Sequence, residues 1–181
     1  LNEAGKIDRL KDKATLGNSV LHQAFIGMGS NINPANNLVQ AVRLLRRYVW
    51  VVRSSRVWET RAVGSGGPDF LNACIHIETD LDAVSLEMRV LKPIEDRLGR
   101  VRTQDKNAPR TIDLDILIFD GETLDPKIWT QAYVALPLAE LIPEYTRQDG
   151  LITLQATAAK LAEDIPLILC PNVVLSPPAE S

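Results

Sequence analysis

Two carboxylates separated by a single residue stand in an otherwise apolar run, Thr111-Ile112-Asp113-Leu114-Asp115-Ile116-Leu117. Period-two alternation sends Asp113 and Asp115 to one strand face and Ile112, Leu114 and Ile116 to the other. Like charges so close are costly beside a core unless a cation lies between them, and a hard divalent ion with oxygen ligands, Mg²⁺ above all, suits the pair. An isolated Asp-x-Asp can equally be an exposed strand face whose carboxylates pair with Arg100 or Arg110. The neighbourhood favours the metal: Arg89, Lys92, Arg97, Arg100, Arg102, Lys106 and Arg110 precede the strand, and 100–110 reads as a loop without clear periodicity. A basic loop delivered onto a metal-binding strand suits a polyphosphate, with guanidinium forks on phosphate oxygens and the metal neutralising the rest.

Positioning such a site requires a sheet, and the chain predicts one. A strand from Ala24 to Gly29 runs into a Gly-Ser-Asn turn; Asn33 then offers an N-cap, Pro34 a first helical residue, and Leu38, Ala41, Val42 and Leu45 one apolar face. A second strand lies between Trp50 and Thr60, followed by the breaker Gly64-Ser65-Gly66-Gly67-Pro68. Phe70 to Thr79 alternates, with Leu71, Ala73, Ile75 and Ile77 facing a core and Phe70, Asn72, Cys74 and His76 left for a cleft. Residues 82–98 predict a helix capped by Asp82 and ended by Gly99, with Val84, Met88, Leu91 and Leu98 as its apolar stripe and a kink near Arg89 to Lys92 caused by Pro93. With the strand 112–119 the order is βαββαβ, an α+β ferredoxin-like sandwich with two helices on one face of an antiparallel sheet. One more helix is expected over 153–163.

At 181 residues and 20.0 kDa the chain suits one core. The reading divides it into an N-terminal extension or linker (1–23), a catalytic domain (24–168) and a C-terminal tail (169–181). No run approaches the ~20 apolar residues of a membrane span, and residues 1–23 lack the order of a secretory signal. The net charge of −3 disfavours nucleic acid as a partner. The strands also lack the aromatic pattern of an RNA-recognition sheet. Cys74 and Cys170 form neither a disulfide framework nor a metal motif, so a cytoplasmic setting is expected; His22 and His76 are too few for a His-rich zinc site. His76 reads as a satisfied strand histidine.

The run Ala108-Pro109-Arg110-Thr111-Ile112-Asp113-Leu114-Asp115-Ile116-Leu117 resembles the signature of the 6-hydroxymethyl-7,8-dihydropterin pyrophosphokinase family of folate biosynthesis. Other segments agree in order over roughly 24–150: Gly29-Ser30-Asn31, Thr60 before the Gly-rich stretch, Asp69-Phe70-Leu71-Asn72-Ala73, Glu95 with Gly99-Arg100-Val101-Arg102, and Pro137-Leu138-Ala139-Glu140-Leu141-Ile142-Pro143-Glu144. The resemblance implies a ferredoxin-like fold and transfer of the β,γ-pyrophosphoryl group of ATP to the hydroxymethyl oxygen of the pterin, releasing AMP. It implies two Mg²⁺ ions on Asp113 and Asp115, with Arg100 and Arg110 as further catalytic residues on phosphate oxygens. Glu95, Arg102, Lys106 and Lys127 join Arg100 and Arg110 in the implied nucleotide site. Phe70 and Tyr133 would sandwich the pterin while Asn72, Thr60 and Val63 read its edge. A monomer, or a part of a multifunctional folate enzyme, is expected.

The chain departs from the family between the metal strand and Tyr133. Asp125-Pro126-Lys127-Ile128-Trp129-Thr130-Gln131-Ala132 is short, lacks the family's His and has Gln131 where Arg is expected. Lys106 replaces a usual Arg, Asn107 a usual Trp, and Arg61 and Ala62 stand at positions where prolines are common. The competing reading is therefore an impaired homologue, or a regulatory domain, that binds pterin or nucleotide without turnover.

Overall fold

The computed structural model describes residues 20–61, 67–102, 108–147, 150–163, 165 and 167–175. The first predicted strand is β1 (His22–Ser30), and Pro34 opens α1 (Pro34–Leu45), whose buried face includes Leu38, Ala41, Val42 and Leu45. Asn33 does not cap α1 through its side chain. It occupies the left-handed region at φ 44°, which Asn tolerates, and Asn37 Nδ2 donates to the Ile32 carbonyl from inside the helix.

The stretch from Trp50 to Thr60 is two strands rather than one, β2 (Trp50–Ser54) and β3 (Trp58–Thr60), both paired with β4 (Phe70–Thr79). Ser55 interrupts them: its N–H donates to the Cys74 carbonyl while its hydroxyl oxygen accepts from the Cys74 N–H, so a side chain takes over a ladder position.

The next helical segment comprises α2 (Ala83–Leu86), a π-helical turn (Glu87–Leu91) and α3 (Lys92–Arg97). Asp82 caps it by accepting from the Ser85 N–H, and Gly99 ends it at φ 78°. Pro93 lies in the first turn of α3, and the widened π turn before it takes up the irregularity predicted as a kink. Val90 and Leu91 consequently both face inward, with Leu86 and Ile94. Val84 and Met88, expected in that stripe, are 71% and 55% exposed.

β5 (Asp113–Phe119) follows, then β6 (Glu122–Thr123), a 3₁₀ turn (Pro126–Trp129), α4 (Ala132–Ala139), α5 (Leu154–Glu163) and β7 (Leu167–Leu169). The sheet runs β6-β5-β1-β4-β3-β7, with β2 also on β4, and each pairing is antiparallel. Within it β5-β1-β4-β2/β3 and the two helical segments form the ferredoxin-like sandwich. One face packs Ile26, Ile75 and Ile77 against Leu38, Leu45, Leu91 and Ile94.

The second face is also partly covered, which the sequence reading did not anticipate. α4, α5 and the 3₁₀ turn bury Phe25, Cys74, Leu117 and Ile118 under Ile128, Leu138 and Leu154. Cys74 and His76 thus lie beneath a helical layer, and only the part of that face around Phe70 and Asn72 opens into a cleft. The segment assigned to a tail is held through residue 175: Leu175 is buried in the main core, with Cys170 and Val173 against it. Among the described residues no helix is long and apolar enough to cross a membrane.

Ile75 is fully buried on the central strand β4. Replacing it by Ala is expected to cost about 2–5 kcal/mol, read as a lower denaturation midpoint with an unchanged slope.

Candidate active site

The register of β1 builds the floor of the cleft. Gly29 pairs with Asp113 on one side and Asn72 on the other, and Gly27 likewise stands between Asp115 and Cys74. Two glycines on one strand face leave nothing standing between the aspartates and β4. The approach is close, because a Cβ on Gly27 would lie 3.1 Å from a Leu117 methyl. The resulting cleft encloses about 570 Å³.

Its walls bring together the predicted Thr60, Phe70, Asn72, Arg100, Arg102, Arg110, Asp113, Asp115, Lys127 and Tyr133. Val63 and Lys106 lie outside the described residues. Glu95 is not in the wall. It is 5% exposed, and its carboxylate accepts from the Leu114 N–H at 2.8 Å and from Arg102 at 2.5 Å. Glu95 thus grips the peptide between the two aspartates from behind and is linked to the cleft wall through Arg102.

Each cation is aimed by a local device. The left-handed Gly99 ends α3 and turns the chain so that Arg100 Nη2 reaches Asp113 Oδ1 at 3.3 Å. Arg110 is fixed from behind, its N–H donating to Asn31 Oδ1 at 2.7 Å and its carbonyl accepting from the Asn31 and Ile32 N–H groups. Ser30 Oγ donates to the Thr111 carbonyl and Asn31 Nδ2 to that of Pro68, so Gly29-Ser30-Asn31 ties the basic segment to the exit of the Gly-rich stretch. From that anchor Arg110 Nη1 reaches Asp113 Oδ2 at 2.6 Å, and its guanidinium lies 5.6 Å from the Phe70 ring centroid. Lys127 Nζ stands 3.7 Å from Asp115 Oδ2.

The pairing of Asp113 with Arg100 and Arg110 matches the plainer alternative for an Asp-x-Asp. The setting does not, since the pair lines a concave cleft. Burial, reinforced by the Asp113 charge, raises the Asp115 carboxyl above its ordinary range despite Lys127. Burial pulls the Lys127 ammonium down, but Asp115 and Asp125 outweigh it and hold the group protonated. Arg100 Nε is buried without a hydrogen-bond partner among the described residues, a donor with no acceptor.

On the β4 side of the cleft, Asn72 Nδ2 donates to Thr60 Oγ1 at 2.9 Å, which fixes the orientation of the amide. Phe70 and Tyr133 are half-buried in the same cleft. His76 is outside the cleft wall and is not the satisfied histidine expected: it stacks on Phe25 with ring centroids 4.6 Å apart, and neither ring nitrogen has a hydrogen-bond partner among the described residues. Burial and the neighbouring Arg53 lower its pKa. Sequence reasoning missed Gly27, whose signal is the Gly27-x-Gly29 spacing, and Asp125, whose signal is the Asp-Pro start of a turn.

A sequence model of the family described as 7,8-dihydro-6-hydroxymethylpterin-pyrophosphokinase matches residues 25–143. The chain is 35% identical over 137 residues to the 2-amino-4-hydroxy-6-hydroxymethyldihydropteridine pyrophosphokinase of Bacillus subtilis, covering 69% of this chain and 81% of that one. It is 33% identical over 135 residues to the Synechocystis protein of the same name, covering 68% of each. A folate synthesis bifunctional protein of Arabidopsis thaliana is 34% identical over 142 residues, 72% of this chain but 29% of that one. In fold the chain resembles a Plasmodium falciparum HPPK-DHPS solved with SDX-DHP, at a TM-score of 0.61 and 15% identity over 81% of this chain. It spans 46% of that structure's length.

Glu95 generates a pH prediction. Burial first, and then the charge of Asp113, raise its carboxyl above the ordinary value, against the Leu114 N–H and Arg102. The folded state therefore holds that proton more tightly than the unfolded one, and stability is lost as pH rises through the carboxylate range. Glu95→Gln keeps an acceptor for Leu114 and removes the titration. Denaturant unfolding from pH 4 to 7 is expected to show the wild type losing stability relative to Glu95→Gln as pH rises.

Proposed function

Because the chain belongs to the 7,8-dihydro-6-hydroxymethylpterin-pyrophosphokinase family, we propose that it transfers the β,γ-pyrophosphoryl group of ATP to the hydroxymethyl oxygen of 6-hydroxymethyl-7,8-dihydropterin in folate synthesis. The observation that carries this reading is that one cleft brings together a carboxylate pair, four arginines and two aromatic side chains, Phe70 and Tyr133. The acceptor oxygen attacks the β-phosphorus, the bond from that phosphorus to the oxygen bridging the α-phosphorus breaks, and AMP leaves with that oxygen.

Phe70 and Tyr133 flank the pterin ring, and Asn72, oriented by Thr60, reads its polar edge. Arg100 and Arg110 bind phosphate oxygens, and Arg100 Nε finds there the acceptor it otherwise lacks. With those guanidiniums on phosphate, Asp113 would be free to hold a metal ion.

The donor set fits Mg²⁺. Asp113 and Asp115 offer hard carboxylate oxygens, and no group of three or more His, Cys, Asp or Glu suited to a metal exists among the described residues. Mg²⁺ is commonly held by one or two carboxylates together with substrate phosphates. Two such ions on Asp113 and Asp115 would neutralise charge on the triphosphate and on the leaving AMP.

Purified protein is expected to form AMP from ATP and the pterin alcohol only when Mg²⁺ is present. Asp113→Ala and Asp115→Ala should each lower kcat by roughly 10³-fold, while Arg100→Ala should weaken ATP binding by about 1.5–3 kcal/mol. Absence of AMP from wild type at saturating substrates and Mg²⁺ would sink the reading.

A further inference from the structure

We propose that Asp125, which has no part in the transfer described above, is a positioning residue that holds Lys127 against the phosphates of the donor; the inference rests on the pyrophosphokinase reading. The segment joining β5 to α4 lacks both a His and the Arg expected at Gln131, and its cation is Lys127. A lysine is a point charge on a flexible four-carbon stem, so an unheld Lys127 is a poor substitute for a planar, pre-formed fork.

Asp125 restrains it at two places. Oδ1 accepts the Lys127 backbone N–H at 2.9 Å, fixing the 3₁₀ turn, and Oδ2 lies 3.2 Å from Nζ. Both residues line the cleft, but the Asp125 side chain is 16% exposed against 50% for Lys127, so the anchor is the more enclosed of the two. Asp125 is itself tied to the metal strand, because its N–H and that of Leu124 both donate to the Leu117 carbonyl. The result is an ammonium suspended between Asp125 and Asp115, beside the proposed phosphate path, with its side-chain ordering completed before the ligand arrives. Asp125 touches no phosphate and acts through Lys127 alone.

A double-mutant cycle tests this, with α,β-methylene-ATP plus Mg²⁺ as the probe, calorimetry for affinity, and steady-state AMP release for kcat and KM. Asp125→Asn retains an oxygen for the Lys127 N–H and so spares the turn. Lys127→Ala and Asp125→Asn are each expected to weaken the probe by about tenfold. The double variant should be no weaker than Lys127→Ala, the loss should fall in the KM for ATP more than in kcat, and Lys127→Arg should recover part of the affinity. An Asp125→Asn protein that binds like wild type, or a double variant that loses the product of both single effects, overturns the role of Asp125 while leaving the enzyme reading intact. Wild type that neither binds the probe nor releases AMP overturns both.

Discussion

Two negative charges are held side by side on the wall of a half-dry cleft, and much of the surrounding chain is arranged to make that tolerable. Asp113 is met by Arg100 and Arg110, and Asp115 by Lys127. None of these cations reaches its partner by chance of a long side chain. Gly99 redirects the end of a helix, Asn31 grips the backbone of Arg110, and Asp125 caps the turn that carries Lys127. Behind the pair, Glu95 fastens the intervening peptide at Leu114, at the cost of burying a third carboxylate. The site is a local excess of charge in which each acid is already committed to a cation of the same cleft.

The sheet makes this arrangement usable. β1 lies between β5, which carries the acids, and β4, which carries Asn72 and Phe70, and it contributes two glycines where the two halves meet. The acids of β5 and the Asn72 and Phe70 side chains of β4 therefore share one surface, with no β1 side chain between them. Further along the same face, α4 and α5 seal the sheet around Phe25, Cys74 and Leu117. Half of one sheet face is core and half is cleft, and the boundary lies close to Leu117.

Much of this was legible in the sequence wherever a short-period rule applied. Strand alternation placed Asp113 with Asp115, and Phe70 with Asn72; helical spacing placed Leu38 with Leu45. Misplaced residues were those governed by a single non-periodic contact. Asn33 lost its capping role to a left-handed backbone, Val84 and Met88 left the core because a π turn reset the helical phase, and Ser55 split a strand by using its hydroxyl in the ladder. Glu95 was assigned to nucleotide contact but is outside the cleft wall and bonded to the back of β5 at Leu114, a placement set by helix rotation. Leu175 was assigned to a tail because the short run Val173-Val174-Leu175 near prolines carries no periodic signal, yet it is buried in the main core. Asp125 escaped notice because an aspartate before proline ordinarily signals only a turn.

The order β5-β1-β4 has a consequence for how the protein comes into being. β1 and β4 can pair once residues up to 79 are available, but Asp113 reaches Gly29 only through a contact spanning more than eighty positions of sequence. Such distant pairings carry the largest loop-closure penalty and form late. A chain in which the α1–β4 half has collapsed but β5 has not docked would present Phe70 and Asn72 without Asp113, Asp115 or the later Tyr133, a half-built cleft. Completion of the sheet and acquisition of chemistry are therefore one event, and the catalytic competence of a newly made molecule reports the docking of its last central strand.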